Sequence, residues 1–340
     1  MGIHLTEGSS KPRTGGRTVR WARWVSLAMF AYLTSTIVVM ASERVYWYWG
    51  GVTAGNIFEI ALFYLIPTLA GLWAMALIPA TRIHQVVLAG AVFAFVVEGV
   101  LTPIIYADGP FPVLAALFVG WHGMLAFAGF WYLTRKLLVE GRRRTLVTAA
   151  AVVGGLWGFW AIVASLADPP AEIAGAAVMS PPEFAAYAFV VGAVLAVAHW
   201  GIGFVWPDEG WRPGRIATAI LVLGSLAYMA VAVLPAVPWA PLKLAALLGA
   251  TAWLARRSRA GIPAGEPSVI ARLAGEVRLR DTVVLLAMPA TASVVYLLAW
   301  SADLPDVVLS VGYWVFVAAQ VIGGGWAFTW AARRSVRSMA

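Results

Sequence analysis

Ten runs of about 20 apolar residues alternate with short polar segments along the chain. They lie at residues 21–41, 55–79, 84–106, 111–134, 145–167, 182–204, 216–235, 240–256, 282–300 and 307–331. A helix needs about 20 apolar residues to cross about 30 Å of hydrocarbon, so each run has the dimensions of one transmembrane helix. We therefore predict an all-α, polytopic integral membrane protein with about ten transmembrane helices.

The boundary between the seventh and eighth runs depends on three prolines, Pro235, Pro238 and Pro241. Proline removes a backbone donor and clashes with the preceding helical turn. We expect two shorter helices joined by a proline-rich turn at this position, although the pattern alone also permits one broken span.

The basic residues predict the orientation of these helices. When the 24 lysines and arginines are assigned to the segments between the runs, only Arg44 and Lys243 fall on one side and the remaining 22 fall on the other. Lysine and arginine accumulate on the cytoplasmic side of membrane proteins. The chain is therefore expected in the cell membrane with both termini in the cytoplasm.

The composition excludes several classes of protein. The chain is 61% hydrophobic and only 12% charged, whereas a soluble domain is nearer half apolar and a quarter charged. A water-soluble enzyme and a disordered protein are thus excluded. The absence of cysteine excludes a disulfide scaffold and cysteine-held iron–sulfur clusters. The net charge of +8 follows from the cytoplasmic arginines, so no nucleic-acid partner is predicted.

The polar segments divide the chain into a single membrane domain with two tails. Residues 1–20 are predicted to be a disordered cytoplasmic tail, 21–332 the ten-helix domain, and 333–340 a cytoplasmic C-terminal tail. Within the domain, the cytoplasmic loop 257–281 contains apolar residues at helical spacing, which favours a short helix lying at the membrane interface.

Two local patterns predict how helices begin and pack. Ser180 and Glu183 flank two prolines in a capping-box pattern, which indicates a sharp helix start after the loop 168–184. Gly154 and Gly158 form a GxxxG pattern, and Gly323 to Gly325 form a second small-residue face. Such residues let helix backbones approach closely in membranes.

Ionisable residues inside predicted spans are the main candidates for function, because burying a charge in a bilayer costs several kcal/mol. Glu98 lies 14 residues into the third run, about 21 Å along it at 1.5 Å per residue. Thr102 and Tyr106 follow at spacings of four and eight, on the same helix face. Glu59 lies about four residues into the second run.

The fourth run adds a histidine at a similar height. A short turn that contains Asp108 joins the third and fourth runs, so these two helices should pack as an antiparallel hairpin. His122 then comes within about one and a half turns of Glu98. A carboxylate beside an imidazole can share a proton near neutral pH. The predicted proton-, cation- or substrate-binding residues are Glu98, His122, Tyr106, Glu59, Thr102 and Asp108.

No cofactor is predicted. His122 and His199 differ in predicted depth by about 9 Å, which does not suit a haem held by two histidines. A zinc site needs three or four ligands, which Glu59, Glu98, Asp108 and His122 could supply only if their helices pack together, and no HExxH spacing is present. Haem and zinc both stay open as alternatives. Walker A and GxSxG sequences are also missing.

Three functions remain open on the sequence. The first is a transporter for a small molecule or an ion, and the ten-helix plan is similar to that of the drug/metabolite transporter superfamily in topology and size. The second is a membrane-embedded enzyme in which Glu98 and His122 act as acid and base on a lipid-soluble substrate. The third is a structural subunit of a larger membrane complex. The bilayer is a partner in each case, and the oligomeric state is left open.

Overall fold

The computed structural model describes residues 15–45, 53–166, 179–207, 213–263 and 265–337. Within these ranges every regular element is helical and no strand occurs. The α-helices are α1 (Gly15–Val39), α2 (Ala54–Phe63), α3 (Leu65–Leu77), α4 (Ile83–Val96), α5 (Phe111–Phe118), α6 (Thr134–Val139), α7 (Arg143–Leu166), α8 (Pro181–Gly201), α9 (Arg215–Tyr228), α10 (Ala240–Ser258), α11 (Val269–Arg272), α12 (Leu279–Thr282), α13 (Ala287–Ser301) and α14 (Asp306–Arg337).

Several of these helices continue into wider or tighter segments. Four π-helical segments follow α1, α4, α5 and α9, namely Met40–Arg44, Val97–Leu101, Val119–Leu133 and Met229–Val233. Four 3₁₀ segments lie at Pro103–Tyr106, Ile202–Val205, Arg259–Gly261 and Val283–Leu286.

Eight of the described helical segments are long and apolar enough to cross a membrane, which agrees with an all-helical, multi-pass membrane fold. They are Arg23–Arg44, Ile83–Leu101, Phe111–Val139, Arg143–Leu166, Pro181–Val205, Arg215–Val233, Leu279–Ser301 and Asp306–Arg337. Helix α10, which corresponds to the eighth predicted run, is 19 residues long but carries Lys243, Arg256 and Arg257. The proline-rich turn expected between the seventh and eighth runs separates the segment ending at Val233 from α10.

The second predicted run is not a straight helix. Helices α2 and α3 are bent by 49°, and Tyr64 lies at the break between them. Pro67 explains this position, because its missing N–H cannot bond to the carbonyl of Phe63 four residues earlier. The bend places the Tyr64 side chain, which is buried, inside the helix bundle.

Helix ends extend further than the apolar runs. Helix α1 begins at Gly15, within the predicted tail 1–20, and α14 continues to Arg337, within the predicted tail 333–340. Arginine is a good helix former, so the basic ends can continue the helices beyond the apolar runs. The rest of both tails, residues 1–14 and 338–340, lies outside the described residues.

The capping box before α8 is confirmed. The backbone N–H of Ser180 donates to Glu183 at 2.8 Å, and the helix starts at Pro181. Most of the preceding loop, residues 167–178, lies outside the described residues.

Between α10 and α12, the described part of the loop 257–281 contains the 3₁₀ segment Arg259–Gly261 and the one-turn helix α11, and residues 274–278 are not helical. Its apolar side chains Ile270, Leu273 and Val277 are buried in the protein, so they are not free to enter a lipid leaflet. We refer to residues 266–278 as the docked loop.

Arg135 is one of several residues that hold the docked loop, beside the bonds from the Val269 N–H to the Ala80 carbonyl and from the Trp206 indole N–H to the Ile270 carbonyl. Arg135, only 1% exposed, donates to the carbonyls of Leu273 at 3.3 Å, His199 at 3.0 Å and Gly275 at 2.5 Å. Its guanidinium lies 4.8 Å from the ring centre of Trp206. These contacts join the end of the fourth predicted run, the end of α8 and the docked loop.

Glycines set the distance between several helix pairs. A Cβ atom on Gly154 or Gly158 of α7 would lie 2.1 Å from the Met288 carbonyl oxygen or 2.2 Å from that of Ala292, both on α13. A Cβ on Gly324 of α14 would lie 2.0 Å from the Ala116 carbonyl oxygen. The structure therefore confirms the Gly154/Gly158 pattern as a close packing surface, whereas of Gly323 to Gly325 only Gly324 allows close approach of a neighbouring backbone.

Replacing Gly154 with alanine should lower the free energy of unfolding by about 1–3 kcal/mol, because the new methyl group collides with fixed backbone. Gly155→Ala is the matched control, since its Cβ would make only ordinary contacts at 3.8 Å. Denaturation of the two purified variants in mixed detergent micelles measures the difference. Equal stability of both variants would contradict close α7–α13 packing.

Candidate functional site

The site forms where α4 meets the π-helical segment Val119–Leu133. Gly90 and Gly123 oppose each other there, and a Cβ on Gly90 would lie 2.7 Å from the Gly123 carbonyl oxygen. Helical side chains lean towards the N-terminus of their own helix. In an antiparallel pair, Glu98 beyond Gly90 and His122 beside Gly123 therefore lean towards each other.

Glu98 and His122 are in direct contact. Glu98 Oε1 lies 2.6 Å from His122 Nε2, and both side chains are almost fully buried. The other ring nitrogen, His122 Nδ1, has no hydrogen-bond partner among the described residues, whereas the Glu98 carboxylate also has the Thr102 hydroxyl beside it. Buried polar atoms in proteins are nearly always paired. The pair thus retains capacity to accept or donate one more hydrogen bond.

Aromatic side chains fix the imidazole. The His122 ring stacks on Trp121 with the ring centres 4.8 Å apart and an interplanar angle of 8°. Phe93 contacts it edge-on at 6.2 Å. The Trp121 indole N–H donates to the Ser42 carbonyl at 2.9 Å, which ties this segment to the end of the first span.

A second acid, Glu43, joins the pair. It lies in the π-helical turn Met40–Arg44, accepts a hydrogen bond from the Tyr64 hydroxyl, and is within electrostatic range of both His122 and Glu98. We name Glu43, Tyr64, Glu98 and His122 the polar cluster. Its members come from three predicted runs or their ends and from the bend between α2 and α3.

Arg44 is not an outer loop residue, as its place after the first run had suggested. It is 4% exposed and interacts electrostatically with Glu43, while its carbonyl accepts a hydrogen bond from Tyr187 at 2.7 Å. The π-helical turn extends the first helix past residue 41 and brings Arg44 inside the bundle. The positive charge of Arg44 therefore belongs to the surroundings of the polar cluster.

The two acids and the imidazole of the cluster each lie in a π-helical segment. Glu43 is in Met40–Arg44, Glu98 in Val97–Leu101 and His122 in Val119–Leu133. A π-helical turn interrupts the regular hydrogen-bond ladder, and such turns are frequent at functional sites. Three of them meeting at one point distinguish this cluster from an ordinary polar contact between helices.

The other predicted site residues are distributed differently. The Thr102 hydroxyl lies beside the Glu98 carboxylate and donates to the Val97 carbonyl at 3.3 Å. Tyr106 donates to the Gly99 carbonyl at 3.0 Å, so it bonds to the backbone next to Glu98. Glu59 and Asp108 are exposed and do not join the cluster.

Glu43 was missed because it lies two residues beyond the predicted end of the first run. Helix ends are poorly defined by hydropathy. Thr34, Ser35 and Thr36, which are buried, are the available signal, because hydroxyl residues along one helix indicate a side that faces protein rather than lipid.

The side chains of the cluster are of the types that can exchange a proton or bind a cation. It combines two carboxyl groups, an imidazole and a phenol beside one arginine. With both acids ionised and His122 protonated, these groups balance Arg44, so loss or gain of one proton leaves a net charge in a buried place. Among the described residues no group of three histidine or acidic side chains is arranged to hold a metal ion.

Comparisons of the chain with protein-family models, with curated proteins and with solved structures gave no match.

Proposed function

We propose that this chain is a multi-pass membrane protein that binds a proton or a cation at the polar cluster and couples that binding to movement of a small molecule or ion across the cell membrane. The observation that carries the proposal is the buried Glu98–His122 contact of 2.6 Å, with Glu43 in electrostatic range. A carboxyl–imidazole pair exchanges protons at physiological pH when its surroundings make the protonated and deprotonated states of the pair similar in free energy.

The proposal includes ten spans with both termini in the cytoplasm. The basic residues support it, because only Arg44 and Lys243 would lie on the outer side. The buried position of Arg44 strengthens the asymmetry, since it removes one of those two charges from the outer surface. Lys243 is held over the Trp239 ring at 3.8 Å, which suits a residue at the membrane interface.

A membrane-embedded enzyme would need Glu98 and His122 to face a space that a lipid-soluble substrate can enter. The structure has an apolar cavity of about 650 Å³ lined by Val96 and Val100 of the Glu98 span, but neither Glu98 nor His122 lines it. Their absence from this cavity counts against direct contact with a transported solute as much as against catalysis on a lipid. The transport proposal therefore rests on proton or cation binding within the protein, and the structural subunit is the alternative that a sealed cluster favours.

Infrared difference spectroscopy between about pH 5 and pH 8, the range in which histidine changes charge, tests proton binding directly. The wild-type protein should show loss of a protonated-carboxyl band, and Glu98→Gln should remove most of that signal. Glu59→Gln is the matched control, because Glu59 is an exposed acid outside the cluster; it should leave the buried-carboxyl band unchanged.

Proteoliposome flux under a proton gradient then tests transport with a panel of small metabolites and inorganic cations. We expect Glu98→Gln to reduce gradient-driven flux about tenfold or more, as removal of the protonatable group breaks coupling. If no carboxyl band titrates and flux is equal in both proteins for every solute, the cluster is a packing element and the structural-subunit alternative replaces this proposal.

A further inference from the structure

A large groove on the described part of the molecule is lined by none of the four side chains of the polar cluster. It encloses about 650 Å³ between α3, α4, α9 and α10, which is within the roughly 300–1,000 Å³ of small-molecule sites. Each helix contributes one face to it. On α10, for example, Leu244, Leu248, Thr251 and Ala255 recur at spacings of three and four residues.

The interior of the groove is suited to hydrocarbon. Its two hydroxyl residues are already bonded within their own helices, Ser225 to the Leu221 carbonyl at 2.6 Å and Thr251 to the Leu247 carbonyl at 2.8 Å. The remaining side chains in this part of the lining are apolar. A polar ligand buried there would lose its bonds to water without replacement, which costs several kcal/mol.

One end of the groove is strongly basic. Arg256 and Arg259 line it, both are exposed, and neither forms an ion pair with a described residue. Guanidinium groups match the geometry of phosphate oxygens. The charge at this end is therefore complementary to an anion, whereas the rest of the groove excludes one.

The distance between the two ends fits a membrane lipid. Leu244 lies at the far end of the α10 face and Arg256 is 12 residues further along, about 18 Å at 1.5 Å per residue. Half of a hydrocarbon core of about 30 Å is about 15 Å. A lipid whose phosphate lies at the two arginines can therefore extend its acyl chain along the groove to a point past the middle of the bilayer.

We propose that this groove is a binding site for an anionic phospholipid, with one acyl chain between α3, α4, α9 and α10 and the phosphate at Arg256 and Arg259. The concave shape distinguishes the site from ordinary lipid contact, because four helices surround the chain. The exposed side chains Leu77, Val222 and Leu226 form the rim through which a lipid enters from the bilayer.

The site also reaches the neighbourhood of the polar cluster. Val100 lines the groove two residues after Glu98, and the Leu244 side chain would lie 2.8 Å from a Cβ on Gly99. The end of a bound acyl chain therefore packs against the backbone that carries Glu98, although the proposal of a lipid site does not depend on the function of the cluster.

Photocrosslinking tests the site. The full chain is reconstituted in phosphatidylcholine vesicles that contain about one-tenth phosphatidylglycerol carrying a diazirine on one acyl chain, and labelled residues are mapped by mass spectrometry. Labels should concentrate on the groove faces of α3, α9 and α10. Arg256→Gln combined with Arg259→Gln should reduce this labelling roughly tenfold or more, because two charges near the membrane surface attract the headgroup.

The matched control is Arg278→Gln combined with Arg280→Gln. It removes the same charge from exposed positions that do not line the groove, and labelling should stay within about twofold of wild type. Ala252→Trp is a second test that keeps both arginines and fills the groove; it should also abolish labelling there. Size-exclusion chromatography shows whether each variant is folded.

The proposal is overturned if a phosphatidylcholine probe with the same diazirine labels the groove equally, or if labelling persists in Ala252→Trp. It is also overturned if labelling of the folded double-arginine variant equals that of wild type. If the double-arginine variant aggregates, a competition experiment on the wild-type protein decides. Unlabelled phosphatidylglycerol should displace the diazirine probe from the groove, and unlabelled phosphatidylcholine should not.

Discussion

Replacing Glu98 with leucine is expected to lower the free energy of unfolding by about 3–5 kcal/mol, because it leaves His122 buried without its partner. His122→Phe should lower the free energy of unfolding by a similar amount, since it removes the imidazole that pairs with the buried Glu98 carboxyl group. The variant that carries both substitutions should be less damaged than the sum of the two, because it replaces the buried pair with apolar side chains.

Denaturation of the wild-type protein, the two single variants and the double variant in mixed detergent micelles forms a double-mutant cycle. The cycle gives the coupling energy between Glu98 and His122. We expect a coupling of at least about 1 kcal/mol, as is usual for groups in one buried network. Glu59→Gln, at an exposed acid, should change stability by no more than about 0.5 kcal/mol. Additive effects of the Glu98 and His122 substitutions would show that the 2.6 Å contact contributes nothing to the fold.

Replacing Arg135 with glutamine should release the docked loop without unfolding the bundle. The Arg135 guanidinium donates three hydrogen bonds to backbone carbonyls. A hydrogen bond from a charged donor contributes about 1.5–3 kcal/mol, and the contributions of neighbouring bonds do not add fully. A net loss of about 2–4 kcal/mol would raise the opening equilibrium of the loop about 30- to 1,000-fold.

Amide hydrogen exchange measures this opening residue by residue. The amide of Val269, which donates to the Ala80 carbonyl, and that of Leu273, which donates to the Val269 carbonyl, should exchange faster in Arg135→Gln, while amides in the middle of α4 should not change. Lys136→Gln is the matched control, because Lys136 is the next residue, is 41% exposed and makes only a 3.8 Å ion pair with Glu140. Unchanged loop exchange in Arg135→Gln would exclude Arg135 as the anchor.

The helical fold follows from hydropathy because apolar length decides which segments can be buried in hydrocarbon. Eight described helices meet that requirement, and α2 with α3 occupies one more predicted run. Hydropathy could not predict the bend at Tyr64 or the π-helical turns, since both depend on backbone hydrogen bonding and not on side-chain polarity. Pro67 is the residue in the sequence that indicates a bend, but whether the helix bends there also depends on how the neighbouring helices pack against it.

Only part of the site could be predicted from the sequence. Glu98 and His122 could be associated because a short turn joins their helices, and local connections restrict which helices pack together. Glu43 and Tyr64 come from elements far from that hairpin in the chain, so no spacing rule links them to it. Glu59 was selected on depth alone, and depth does not determine whether a side chain points to protein, lipid or water.

The bend at Tyr64 has a mechanical consequence. The hydrogen bond from Tyr64 to Glu43 joins the vertex of a bent helix pair to the acid of another span. A motion of the bend that moves Tyr64 relative to Glu43 would change this bond, and a change of charge on Glu43 would change its strength. Binding free energies that share one equilibrium are reciprocal. If the cluster binds a proton as proposed, the angle of the bend therefore reports its proton affinity, and one can be measured through the other.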